Sequence, residues 1–359
     1  MSPHSSSAKD KPNVGKESFA DVLIFWQRHQ GRHNLPWQGT RDPYRIWLSE
    51  VMLQQTQVTT VIPYYTRFLE RFPDVTSLAA APVAEVMALW SGLGYYSRAR
   101  NLHRCAQQVL ADHGGNFPTD PALLEKLPGI GRSTASAIAV FASGAIAPIL
   151  DGNVKRVLTR VFGIEGYPGE KSVEQTLWLL AESLLPEKNV EAYTQGLMDL
   201  GATLCSRTKP LCASCPMNAL CVARATNRTS ELPTRKATAP IPQRQVAMLV
   251  IVHRKQILLE QRPDAGIWGG LLSLPEVDSD ELKRIRRAAA KFGKVDACEA
   301  LSSFSHTFTH FKLQIHPYAI SLKQRKPLDK SAPFAWHKLE NLEKLGLPAP
   351  VKKLLQKLV

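Results

Sequence analysis

From residue 17 to about residue 225, apolar side chains recur at three- and four-residue spacing, the period of amphipathic helices. Val154, Val157, Leu158 and Val161 trace one such face. Turn-forming clusters separate the helical stretches: Phe72-Pro73-Asp74, His113-Gly114-Gly115 and Gly166-Tyr167-Pro168-Gly169. Over 226–245 the periodicity stops. Pro233, Pro240 and Pro242, several threonines, and four basic residues against Glu231 alone predict an interdomain linker there. Beyond it the period changes. Residues 246–252 form an unbroken apolar run, His253-Arg254-Lys255 a turn, and 256–260 a second strand. Residues 313–322 read as another strand and 349–359 as a closing helix. The pattern predicts a disordered tail over 1–17, a mainly α region over 18–225, the linker, and an α+β domain over 246–359.

Composition adjusts this picture further. A length of 359 residues with 44% hydrophobic content supports two cored domains. The net charge of +14 suggests a polyanionic partner. No apolar run reaches the ~18–20 residues a bilayer span needs, so no membrane association is expected. The first eighteen residues hold no apolar stretch of a secretory signal, and Asp10, Glu17 and the absence of Arg oppose a transit peptide.

Six cysteines occur, and four of them, Cys205, Cys212, Cys215 and Cys221, fall within seventeen residues as C-x6-C-x2-C-x5-C. Disulfide loops that short would be small and strained. A single CxxC with two flanking cysteines also differs from a zinc ribbon, which pairs two such units. Four thiolates on one loop suit an iron–sulfur cube, with structural zinc as the alternative the spacing leaves open. Such a cluster, without a disulfide scaffold, points to a reducing compartment, hence a cytoplasmic location.

Leu127-Pro128-Gly129-Ile130-Gly131-Arg132 interrupts two helical patterns. Pro ends the first helix, and Gly129 and Gly131 permit a tight turn. A glycine turn opening a helix presents bare N–H groups and a positive dipole end, a seat for a backbone phosphate. An ordinary helix–helix connection fits the same residues, and the basic balance of the chain favours the phosphate.

LPGIGRSTA, then Asp151-Gly152-Asn153-Val154, then the four cysteines resemble the helix-hairpin-helix DNA glycosylase superfamily. The segments WLSEVMLQQTQV (47–58) and GLGYYSRARNL (92–102) narrow the resemblance to the adenine DNA glycosylase family of the MutY type. It implies a helix-hairpin-helix domain with a [4Fe-4S] cluster on the four cysteines and a Nudix-like domain that reads 8-oxoguanine. It also implies a monomeric base-excision enzyme acting on double-stranded DNA with adenine opposite 8-oxoguanine or guanine, associated with the nucleoid in a bacterium.

The resemblance places the catalytic glutamate at Glu50. The local sequence, Ile46-Trp47-Leu48-Ser49-Glu50-Val51-Met52-Leu53, surrounds that carboxyl with apolar neighbours, which raises its pKa toward the range of a general acid. Pairing with Arg45 is the competing reading. Asp151 precedes a helix and reads as an N-cap. As a fixed anion it would also stabilise the oxocarbenium-like sugar, with Asn153 as its helper. Leu35 and Trp37 are expected in the adenine pocket, Gln55 and Tyr95 as wedges in the base stack, and Gln54 beside them. Gly129, Gly131 and Ser133 are expected at the phosphate backbone, and Thr309 and His310 at the lesion base. Arg98, Arg100 and Arg104 suit phosphate contacts.

Two absences sharpen the expectation. Lyase-type relatives carry lysine where this chain has Ser133, and a serine supplies no Schiff-base amine, so base removal without strand cleavage follows. Ile267-Trp268-Gly269-Gly270-Leu271 is similar to the Nudix glycine loop, but the helix that should hold magnesium through glutamates reads Asp280-Glu281-Leu282-Lys283-Arg284-Ile285-Arg286-Arg287. Pyrophosphate cleavage is therefore disfavoured. A lyase of the same superfamily and a DNA-binding scaffold without catalysis are the rival readings.

Overall fold

The structure is a computed structural model that describes residues 16–236, 240–308, 310–329 and 331–358, with side chains from residue 19 onward. The first half is helical, as the periodicity requires. Helices α1 (Lys16–Gln30), α2 (Pro43–Leu53), α3 (Val58–Arg71), α4 (Val75–Ala80), α5 (Val83–Trp90) and α6 (Ser97–His113) come first. Then follow α7 (Pro121–Leu124), α8 (Arg132–Ser143), α9 (Gly152–Phe162), α10 (Lys171–Ser183), α11 (Val190–Thr203) and the short α12 (Val222–Ala225). Their ends follow local chemistry. Asp42, Asp74, Asp120 and Asp151 cap the N-termini of α2, α4, α7 and α9 through their carboxylates. Gly114, Gly144 and Gly163 close α6, α8 and α9 in the left-handed conformation that costs glycine least.

The second half holds β1 (Gln243–His253), β2 (Gln256–Gln261), β3 (Leu272–Ser273), β4 (Glu276–Val277), α13 (Leu282–Ala289), β5 (Gly293–Ala300), β6 (Phe304–Thr307), β7 (Lys312–Arg325), β8 (Phe334–Lys338) and α14 (Ala349–Gln356). The sheet runs β3-β2-β1-β7-β5, with β4 on β1, β6 on β7 and β8 on β2. Only β1 and β7 pair in parallel, from Gln243↔Lys312 to Val252↔Ser321 among the described residues. β1 lies inside the sheet between β2 and β7, and its consecutive residues Ala247 to Ile251 are buried on both faces, which explains its unbroken apolar run. Ile285 and Ala289 of α13 pack into the sheet core, leaving Lys283 and its arginines exposed.

By internal packing the chain forms two units, and the division is not the linear one the periodicity suggests. One unit comprises residues 1–54 and 116–237, the other 55–115 and 238–359. Helices α3–α6 thus pack with the sheet domain. The first unit closes on Phe19, Leu23, Val154, Val157, Leu158, Leu177, Tyr193 and Leu200, all nearly inaccessible. The stretch expected as a linker makes packing contacts of its own. Up to residue 236 it lies on the first unit: Leu232 is buried, Arg228 pairs with Glu165 and Glu231, and Arg160 Nε donates to the Leu232 carbonyl at 2.8 Å. Among the described residues no helix is long and apolar enough to cross a membrane.

Candidate active site

In the first unit, α2 presents Glu50 and the N-terminus of α9 presents Asp151. Trp47 and Leu48, fully buried, anchor α2, and Trp47 packs on Phe117 at 5.1 Å between ring centroids. Part of the Glu50 surface reaches solvent, but its carboxyl lies deep. Burial, reinforced by the charge of Asp151, pushes its pKa from 4.5 up to about 8. Arg45, the competing partner, reaches Asp42 at 3.5 Å instead. Glu50 therefore keeps its proton at neutral pH.

Asp151 Oδ1 accepts from the amides of Asn153 at 2.9 Å and Val154 at 2.8 Å. Burial holds its carboxyl above the usual range, while those amides, Arg156 and Lys155 draw it back. The two carboxyl groups thus sit in different surroundings: burial and the charge of Asp151 raise Glu50, whereas at Asp151 two backbone amides and nearby cations oppose part of the effect of burial. Asn153 does not stand free: its Oδ1 accepts from Arg156 Nη2 at 2.9 Å. Arg156 also donates to the carbonyls of Gly201 and Cys205, both at 2.7 Å. A Cβ on Gly201 would sit 2.6 Å from that of Asn153, so α11 approaches α9 closely only because this residue is glycine.

Ser133 has an inward task. Its hydroxyl accepts from the Leu150 amide at 2.9 Å, fixing the residue before Asp151. Gly129 takes a left-handed φ of 78°, and Gly131 opens α8 in extended conformation, so the hairpin forms as its glycines require. Gln54 Nε2 reaches Thr134 Oγ1 at 3.4 Å. Leu35 and Trp37 lie on a loop fixed at both ends. Gln38 binds the Leu35 amide and the Arg32 carbonyl, and Arg32 makes two bonds to the fully buried Asp199.

Cys205, Cys212, Cys215 and Cys221 line a single cavity with apolar walls from Val157, Val161, Leu200 and Leu204. Burial pushes the Cys215 thiol up to about 11, and the three other cysteines add to the shift. Arg160, only 2% exposed, donates to Cys205 Sγ at 3.4 Å and to the carbonyls of Ser206 and Arg207. Among the described residues no group of three or more His, Cys, Asp or Glu side chains is gathered closely enough to hold a metal ion. Four thiols around one apolar cavity, with an arginine supporting the loop, nonetheless fit the donor set of an iron–sulfur cube.

In the second unit, Gln55 and Tyr95 are exposed and hold positive φ values of 57° and 47°. Bulky residues seldom adopt such backbone without a reason in the surrounding structure. Beneath Tyr95, Arg98 is buried, lies over the Trp90 and Tyr95 rings, and donates to Thr56 and Gly94. Burial lowers its pKa to about 10. Arg100 turns to the Gly269 carbonyl. Of the three arginines expected at phosphates, Arg98 and Arg100 are thus committed internally, and only Arg104 is exposed, bonded to Asn101. Phe308 stacks on Phe311 at 4.7 Å and His310 is exposed. Thr309 lies outside the described residues. Sequence reasoning missed Arg156 and Arg160, two arginines four apart on the side of α9 away from its apolar stripe, where periodicity gives no cue to their internal partners.

Residues 48–183 match the family model described as HhH-GPD superfamily base excision DNA repair protein, and residues 246–357 match that of the NUDIX domain. A solved structure described as a thermostable thymine-DNA glycosylase superposes over 60% of this chain and all of its own, with TM-score 0.55 and 31% identity. A non-covalent endonuclease III–DNA complex shares the fold of the same region, at TM-score 0.50 and 24% identity. The class is that of helix-hairpin-helix DNA glycosylases, here carrying a Nudix-like domain. Full-length relatives narrow it. An adenine DNA glycosylase of Buchnera aphidicola is 37% identical across 95% of this chain and 97% of its own length. One from Homo sapiens is 34% identical across 94% of this chain and 73% of its own. The chain belongs to the adenine DNA glycosylase family and hydrolyses N-glycosidic bonds in DNA.

Proposed function

We propose that this enzyme excises adenine mispaired with 8-oxoguanine, or with guanine, and leaves the strand uncut. The observation that carries the reading is Glu50, protonated up to about pH 8 beside the anion-supporting turn of Asp151. The target adenine must leave the stack, at a cost of a few kcal/mol. Gln55 and Tyr95 fill the gap, and Leu35 and Trp37 receive the base. Glu50 donates its proton to a ring nitrogen, so adenine departs neutral. Positive charge then builds on the deoxyribose, and Asp151 stabilises it until water adds. Arg156 holds Asn153 in register beside that sugar.

The hairpin glycines bind the backbone, and Ser133, lacking an amine, forms no Schiff base. The exposed His310 and its neighbour Thr309 read the lesion base. Cys205, Cys212, Cys215 and Cys221 would hold a [4Fe-4S] cluster as a crosslink of their loop, and Arg207 and Lys209 on that loop face the DNA. The protein works as a monomer, in the cytoplasm or on the nucleoid. The test is adenine release from duplexes with adenine opposite 8-oxoguanine, guanine and thymine, with and without alkali. Strand breaks that need alkali and favour 8-oxoguanine support the reading. Breaks without alkali, or a covalent adduct trapped by borohydride near residue 133, overturn it.

A further inference from the structure

Arg100 sits one turn into α6, five residues after the wedge residue Tyr95. Its guanidinium donates to the carbonyl of Gly269, in the glycine loop of the sheet domain. That loop is tightly closed: Gly270 N donates to the Pro263 carbonyl at 3.1 Å, and Arg262 N to the Leu271 carbonyl at 2.9 Å. Side chains at Gly269 or Gly270 would strike the Asp264 carbonyl or crowd the Arg100 side chain. Immediately before Gly269 stands Trp268, 5% exposed and held at a φ of 56°. Its ring packs on His306 at 6.0 Å and on Phe308 at 5.5 Å. Those two residues, themselves 4.7 Å apart, shape the tip of the β6–β7 hairpin that carries His310. A second bond ties the segment before α6 to the sheet domain: Ser91, at the C-terminus of α5, donates through Oγ to the Leu347 carbonyl at 2.6 Å.

We propose that Arg100 is a specificity-determining positioning residue. By holding the Gly269 carbonyl it locks Trp268, and through Trp268 the hairpin tip, to the helix that directly follows the wedge residue Tyr95. Lesion reading and wedge insertion then occur in one fixed register. The inference rests on the lesion-reading role proposed above for that hairpin. Arg100 touches neither the reacting base nor Glu50, so its loss blunts the preference for 8-oxoguanine while the chemistry survives. Arginine suits the task because its planar fork holds a fixed direction.

The test compares the parent enzyme with Arg100→Leu and Arg100→Lys in single-turnover adenine release opposite 8-oxoguanine and opposite guanine. In Arg100→Leu the ratio of the two rates is expected to fall about five- to tenfold, the size of an ordinary coupling between sites. The rate opposite guanine should stay within about twofold, and Arg100→Lys should restore part of the ratio. An unchanged ratio, or both rates falling in parallel, overturns the proposal. If Arg100→Leu folds poorly, the ratio in Arg100→Lys alone decides: any loss of preference supports the lock, and none refutes it. A parent enzyme that shows no preference for 8-oxoguanine sinks the proposed function itself, a different result from a preference that Arg100 does not control.

Discussion

Replacing Glu50 with glutamine should make the enzyme slower and more stable at once. Glutamine keeps the shape of the protonated side chain but holds no transferable acid proton. Loss of a positioned general acid costs about 10²–10⁴-fold in rate. Stability moves the other way. The folded-state pKa of Glu50, about 8, lies above its ordinary 4.5, so between those values the folded chain binds a proton that the unfolded chain lacks. Stability therefore falls as pH rises through this window. At pH 7 the difference of about 2.5 pH units from 4.5 corresponds to roughly 3 kcal/mol of destabilisation, an upper bound that Glu50→Gln removes. Single-turnover release on an adenine–8-oxoguanine duplex measures the first effect, and urea midpoints at pH 5 and pH 7 the second. The parent should lose stability between the two pH values more steeply than the variant. A variant that keeps more than a tenth of the parent rate, or is less stable than the parent at pH 7, refutes the assignment of Glu50 as a strained, protonated acid.

Other outcomes follow from the same geometry. The parent rate should decline above pH 8 as Glu50 loses its proton, and an activity flat to pH 9.5 or so would contradict the burial argument. Asp151→Asn keeps an N-cap for α9 but loses the anion, so release should slow about 10²–10³-fold with unchanged helical circular dichroism. In the same variant the charge that helps raise the Glu50 pKa is gone, so the alkaline limb of any residual activity should move to lower pH. Cys212→Ser should abolish a broad visible absorbance and the bound iron; a colourless parent that yields zinc on digestion would replace the cluster assignment.

The helices and the principal strands were legible because their cues are local. The four-cysteine spacing, the N-capping Asp151 and the glycines of the hairpin needed no knowledge of the rest of the fold. The arginines behaved otherwise. Arg98, Arg100 and Arg104 look alike in sequence, yet one is buried under Tyr95, one grips a glycine carbonyl and one faces solvent. Ser133 was legible as the residue that is not lysine, but its bond to Leu150 was not. The contacts of the linker stretch were not legible because its partners, Arg160 and Glu165, lie on distant parts of the chain.

Sequence alone therefore determined which elements form, which family the chain belongs to, and which residues to propose at the reacting centre. Tertiary structure decided protonation states and the partners of charged side chains. The reason is physical: periodicity and capping act between residues a turn apart, whereas desolvation of Glu50, the reach of the Asp151 charge and the choice of carbonyl for each arginine depend on which helices and loops are brought together.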